Sequence, residues 1–143
     1  MRVVDDAGII VRLAHSGQDH AEAAGFSWFV GDHTLPEELE RVAELMADAV
    51  FASISGLPLP DDVRGLFLTE TIPDLDRLDG IMFSGGVAEY IYGREPRDFG
   101  DLGQLLGLAL RAGIAADRLA APMLPPVNAY APPSSGHPST ACS

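Results

Sequence analysis

Apolar residues recur at helical spacing in the stretch that follows Thr34. This face carries Leu39, Val42, Ala43, Met46, Val50 and Ser53. Thr34 with Glu37 three residues later is typical of a capping box, and Pro36 suits a first turn, where no amide donor is needed. Gly56 is suited to the position just after a helix end. The pattern predicts that the longest helix of the chain lies between these signals.

Short apolar runs predict strands. Arg2–Val4 and Ile9–Leu13 flank the turn-forming run Asp5–Gly8, which predicts a β-hairpin. Gly80–Phe83 is apolar and begins at a glycine, which predicts a buried strand. Strands that alternate with helices indicate an α/β fold.

Weaker patterns predict several shorter helical elements and one aromatic core anchor. The helical patterns cover one turn around Asp19–Ala23 and the segments Asp61–Leu68, Val87–Tyr92 and Asp101–Ala112. Trp28 is the only tryptophan, and its large apolar ring predicts a core position that it shares with Phe26, Phe29 and Val30.

The composition changes at Pro122. From there to Ser143 the chain is rich in Pro, Ser, Gly and Ala, which bury too little apolar surface to offset the entropy of ordering. We therefore divide the sequence into a folded unit, residues 1–121, and a tail without fixed structure, residues 122–143.

Charge and cysteine content narrow the function classes. The net charge is -12 and the pI is about 4.4, whereas nucleic-acid-binding proteins normally present a basic face. All nine basic residues are arginine, so a Walker-type phosphate lysine is excluded within this chain. Cys142 is the single cysteine, which excludes an intrachain disulfide. The first residues lack the apolar core of a signal peptide, and we expect a cytoplasmic protein.

The candidate chemistry lies where the predicted strand ends and a helix begins, at Ser84, Gly85, Gly86 and Val87. Glycines lack Cβ, so a ligand can approach the backbone closely. The start of a helix offers free amide donors and the positive end of the helix dipole. A tight turn between a strand and a helix would have the same sequence, and the pattern alone favours that plainer interpretation.

A family resemblance changes this balance. The stretch IMFSGGVAEYIYGREPRDFG, residues 81–100, resembles the nucleoside-binding stretch of the ethanolamine ammonia-lyase reactivating factor. The resemblance spans residues 2–128, and this chain looks like the C-terminal part of such a factor. The core Phe83–Val87 is also similar to a motif of the actin, heat-shock-chaperone and sugar-kinase ATPase superfamily.

The resemblance implies a fold, a task and a site. The fold would be a partial ribonuclease-H-like lobe, with a mixed sheet and packed helices. The task would be a chaperone-like, ATP-dependent exchange of damaged cobalamin in the partner enzyme ethanolamine ammonia-lyase. ATP and Mg²⁺ would be the cofactors of the complete protein, with no covalently bound group. The nucleotide would contact Gly85 and Gly86 beside its adenosine, with Ser84 and Val87 as the wall and Glu89 near the ribose.

Two departures from the family pattern keep alternatives open. The glycine-rich Asp-x-Gly loops that hold the phosphates and Mg²⁺ in such ATPases are absent from this sequence, so we expect no ATP hydrolysis by this chain alone. After Asn128 the sequence shows no strand pattern, which suggests a truncated or frameshifted, non-functional fragment. A small α/β binding module without nucleotide chemistry is the third hypothesis.

One further motif carries no function. Asp98-Phe99-Gly100 spells the metal-binding motif of protein kinases, but no catalytic loop, glycine-rich loop or strand lysine accompanies it. We expect a turn before the helix that follows.

Overall fold

The structure is a computed structural model that describes residues 2–72 and 75–126. This part of the chain forms five α-helices and a short 3-10 helix at Leu75–Arg77. The α-helices are α1 His15–Ala23, α2 Pro36–Ser53, α3 Asp61–Arg64, α4 Gly86–Ile91 and α5 Gly103–Ala115. None of the helices in these residues is both long enough and apolar enough to span a membrane.

The α/β fold class, a partial ribonuclease-H-like lobe with a mixed sheet, is wrong. The described residues contain no sheet, and strand pairing is limited to single bridges. The bridges join Val4 to Ile10, Ile9 to His33 and Ile81 to Met123. The buried strand predicted at Gly80–Phe83 therefore reduces to one bridge residue, and Met82 within it is 44% exposed.

The predicted hairpin keeps its turn but not its strands. Asp5 Oδ1 accepts hydrogen bonds from the amides of Ala7 and Ile9, both at 2.9 Å, and these bonds reverse the chain. The amides of Val3 and Val4 instead donate to the carbonyl of Gly100. Because those donors are used by a distant loop, the pairing of Val4 with Ile10 does not extend into a ladder.

The longest helix forms where the apolar pattern places it, but its start differs from the prediction. The first helical residue is Pro36, and Glu38 accepts a 2.9 Å hydrogen bond from the amide of Leu35. Thr34 is buried and donates its hydroxyl proton to the carbonyl of Gly8. The Thr34–Glu37 capping box is therefore wrong, because Thr34 ties the helix start to the N-terminal turn instead.

One hydrophobic cluster packs the N-terminal segment onto α1 and the first half of α2. Its fully buried members are Ile10, Ala21, Trp28 and Val42. Trp28 is 3% exposed and lies parallel to Phe26, with 6.1 Å between the ring centroids. The predicted core anchor is confirmed for Trp28 and Phe26 and is wrong for Phe29 and Val30, whose side chains are 58% and 63% exposed.

A second cluster joins the end of α2 to α4 and α5. Its buried members are Ala47, Phe51, Ile91 and Leu110. Two glycines of α5 permit the close approach of these helices. A Cβ on Gly107 would overlap the Cβ of Tyr90, and one on Gly113 would overlap the ring of Phe51. Helix α5 is therefore fitted by its glycines to α4 on one side and α2 on the other.

The minor helices differ from their predicted bounds. Helix α1 begins at His15 and is longer than the single turn expected around Asp19–Ala23. Helix α3 ends at Arg64, four residues short of the predicted end. Of the expected tail, residues 122–126 are described and Met123 makes the bridge to Ile81. The rest of the predicted tail lies outside the described residues.

Candidate functional site

The turn before α4 has a backbone conformation that only glycine adopts without strain. Gly85 has φ 90° and ψ -174°, and it precedes the first helical residue, Gly86. A side chain at this φ and ψ would clash with its own backbone. The glycine at position 85 is thus required by the turn itself, whatever else the site does.

The backbone of the turn is open to an approaching molecule. Apart from adjacent residues and the backbone of α4, no atom lies within 4 Å of the position that a Cβ on Gly85 or Gly86 would occupy. Ser84, Gly85 and Gly86 are all exposed. Within the part of the chain that the structure describes, the amides of Gly85, Gly86 and Val87 donate no hydrogen bond. These donors are available to an acceptor on a ligand or to water.

Tyr92 holds the near side of the turn. Its hydroxyl accepts a hydrogen bond from the amide of Phe83 at 3.2 Å and donates one to the carbonyl of Leu124 at 2.9 Å. The segment around Leu124 is also bonded to Ile81, through Leu124 N to Ile81 O at 2.8 Å. The Tyr92 phenol and the backbone of Ile81 therefore both connect the segment before the turn to residues 122–124.

The side chain of Glu89 is engaged in an ion pair. Its Oε1 lies 2.6 Å from Arg94 Nη2, and both side chains are partly exposed. The guanidinium of Arg94 also lies 5.7 Å from the ring centroid of Tyr92. A ribose hydroxyl near Glu89 would have to share the carboxylate with Arg94.

The loop after α4 is folded by its own charged groups. Hydrogen bonds from the Arg97 guanidinium and amide lower the pKa of Glu95 to about 2, so this carboxylate is charged at every physiological pH. The hydroxyl of Tyr90 donates to the carbonyl of Arg97 at 2.6 Å, and burial raises the pKa of this phenol. Asp98 accepts the amide of Gly100, which confirms the expected turn at the kinase-like motif.

The structure places the five predicted site residues side by side. Ser84, Gly85 and Gly86 form the exposed turn, while Val87 packs against the second hydrophobic cluster and Glu89 binds Arg94. The supporting role of Tyr92 was not predicted from the sequence. The only sequence signal for this role was its position six residues after Gly86, just past the end of α4. The pattern of apolar positions does not predict a hydrogen bond from a side-chain hydroxyl to the backbone.

Comparison with protein families gives a match over residues 1–124 of the 143, to the model described as ethanolamine utilisation protein EutA. The chain belongs to this family. No match is found among curated proteins or among solved structures. Membership of the EutA family places the chain in ethanolamine utilisation and supports the resemblance to a reactivating factor. The match includes the turn at Ser84–Val87 and its support at Tyr92.

Proposed function

We propose that the chain is part of a reactivating factor for ethanolamine ammonia-lyase, which exchanges damaged cobalamin in an ATP-dependent, chaperone-like cycle. The observation that carries the proposal is the EutA family match over residues 1–124. The acidic, lysine-free composition agrees with a protein partner rather than a nucleic acid.

In this proposal the turn at Ser84–Val87 contacts the adenosine part of ATP. The support is geometric, since the turn offers free backbone amides and has no side chain to obstruct a flat ring. The residues of the turn are suited to contact a nucleoside rather than to bind Mg²⁺. In residues 2–72 and 75–126 no group of three His, Cys, Asp or Glu side chains is placed to hold an ion, and no residue is assigned to Mg²⁺.

The proposed binding to ethanolamine ammonia-lyase is tested by measuring whether the chain binds the lyase in the absence of nucleotide. Ethanolamine ammonia-lyase carrying cobalamin without its adenosyl group is immobilised, and binding of the chain is measured by biolayer interferometry. We expect saturable binding, because a reactivating factor must recognise the inactive enzyme directly.

The control surface carries an unrelated adenosylcobalamin enzyme inactivated in the same way. Equal binding to both surfaces would mean general adhesion of an acidic chain. Absence of binding to the lyase would contradict the proposal.

The nucleotide part is tested by substitution at the turn. Gly85→Val is expected to weaken adenosine binding by about tenfold or more, because valine is excluded from the φ and ψ of Gly85 and its side chain fills the open approach. Binding of adenosine and of ATP is followed from the amide chemical shifts of residues 84–87 during titration.

The matched control is Gly31→Val. Gly31 has φ 97° and also has no atom within 4 Å of its Cβ position, but it lies far along the chain in the turn before α2. It carries a similar backbone cost and should leave adenosine binding unchanged. If the unsubstituted chain shows no shift with adenosine, or if both variants lose binding equally, the turn is not a nucleoside site.

A further inference from the structure

Helices α2 and α5 border a groove of about 470 Å³. The α2 wall carries Glu40, Glu44 and Asp48, which repeat every four residues and so lie in one row about 6 Å apart. The α5 wall is apolar and is formed by Leu105, Leu108, Ala109 and Ala112, and Arg118 lines the groove beside Asp48.

The two walls differ in what they offer to a partner. Leu108 is 49% exposed, although it lies in a largely apolar helix. Ala47 and Gly113, both buried, lie between the walls. The groove is therefore apolar on the α5 side and mainly negative on the α2 side, where Arg118 neutralises Asp48.

The charge of the acidic row is only partly compensated within the chain. Asp48 binds Arg118 at 2.7 Å, and Glu44 lies 3.5 Å from Arg41 in a pair that is more than half exposed. No ion pair involving Glu40 is found in the described residues. An exposed pair such as Glu44–Arg41 contributes little and is readily exchanged for another cation.

From these features we propose that the groove binds an amphipathic basic helix of a partner protein. Arginines or lysines four residues apart on that helix would lie about 6 Å apart, in register with Glu40 and Glu44. Its neighbouring apolar side chains would cover Leu105 and Leu108. This is the helix-in-groove mode of recognition, in which apolar anchors give affinity and charge fixes register.

The helices in residues 2–72 and 75–126 are not of this kind. In the described residues no α-helix carries two arginines four residues apart, which argues against a second copy as occupant. Residues 127–143 contain neither arginine nor lysine, which argues against the chain's own C-terminal segment. We therefore assign the basic helix to a partner protein on charge complementarity, and the proposal does not depend on nucleotide binding.

The test uses a fluorescent synthetic helix, built on alanine, with arginine at every fourth position and leucine on the adjacent face. Its anisotropy is measured against the full chain. Glu40→Arg is expected to weaken binding by about fivefold or more, because it replaces an attraction by a repulsion. Leu108→Gln, at an exposed position, should weaken binding by a similar factor without disturbing the fold.

The matched control is Glu22→Arg, an exposed carboxylate at the end of α1 with the same change in net charge. It should change the affinity by less than about twofold if the groove is the site, since it alters only the long-range field. A peptide with glutamate in place of arginine should not bind. Equal losses in Glu40→Arg and Glu22→Arg, no binding of the basic peptide, or concentration-dependent dimers in light scattering would each overturn the proposal.

Discussion

Gly107→Ala is expected to lower the free energy of unfolding by about 2 kcal/mol, even though alanine is the better helix former. The added Cβ would overlap the Cβ of Tyr90 and approach the carbonyl of Val87 at 3.2 Å. Both groups belong to α4, and neither is the free end of a flexible side chain. The helices can accept the methyl group only by moving apart, which loosens the second hydrophobic cluster.

The measurement is chemical denaturation followed by circular dichroism, with the slope checked for a single cooperative transition. Gly17→Ala is the matched control, because it makes the same change inside α1. A Cβ there would meet only the terminal Cδ1 of Leu13 at 3.1 Å, and a leucine end can rotate away. The control should be neutral or stabilising. A Gly107→Ala protein as stable as the control would mean that α4 and α5 are not packed as described.

Phe51→Ala is expected to have the larger effect, a loss of about 4 kcal/mol in the free energy of unfolding. Phe51 is 3% exposed and packs with Ala47, Ile91 and Leu110 in the second cluster. The Arg118 guanidinium lies over its ring, 4.4 Å from the centroid, so the substitution also removes a cation–π contact. Removal of the ring leaves a cavity at the point where α2 meets α5.

Phe29→Ala is the matched control for this measurement. Phe29 is 58% exposed, and the same deletion should change stability by less than about 0.5 kcal/mol. Equal losses at the two positions would contradict the assignment of Phe51 to the core and of Phe29 to the surface. If the Phe51→Ala protein is unfolded at 37 °C, its thermal midpoint is measured in a scan that starts at a lower temperature and is compared with that of the Phe29→Ala protein.

Long periodic segments were predictable and short apolar runs were not. Helix α2 has four buried residues at helical spacing, and that repetition identifies it within one or two residues of its ends. Gly80–Phe83 has no such repetition, and its four residues can satisfy their backbone groups through a loop as well as through a sheet. Ile81 does so by bonding to residues 122–124. The sheet was inferred from runs too short to distinguish the two outcomes.

The candidate site was predicted from its glycines, whereas the packing of the helices around it could not be predicted from the sequence. Gly85 stands out because a turn before a helix needs its φ, which is a local requirement. Gly107 looks in sequence like a helix-weakening residue, and its purpose appears only when Tyr90 of another helix lies against it. Family membership was also predictable, since it rests on a long continuous stretch, whereas the fold expected from the wider superfamily was wrong.

The phenol of Tyr92 gives the turn at Ser84–Val87 a mechanical connection to the end of the folded region. Because it bonds to Phe83 on one side and Leu124 on the other, the two segments share a fastening point. A displacement of Leu124 therefore reaches Phe83, at the base of the glycine turn, through the two hydrogen bonds of one side chain.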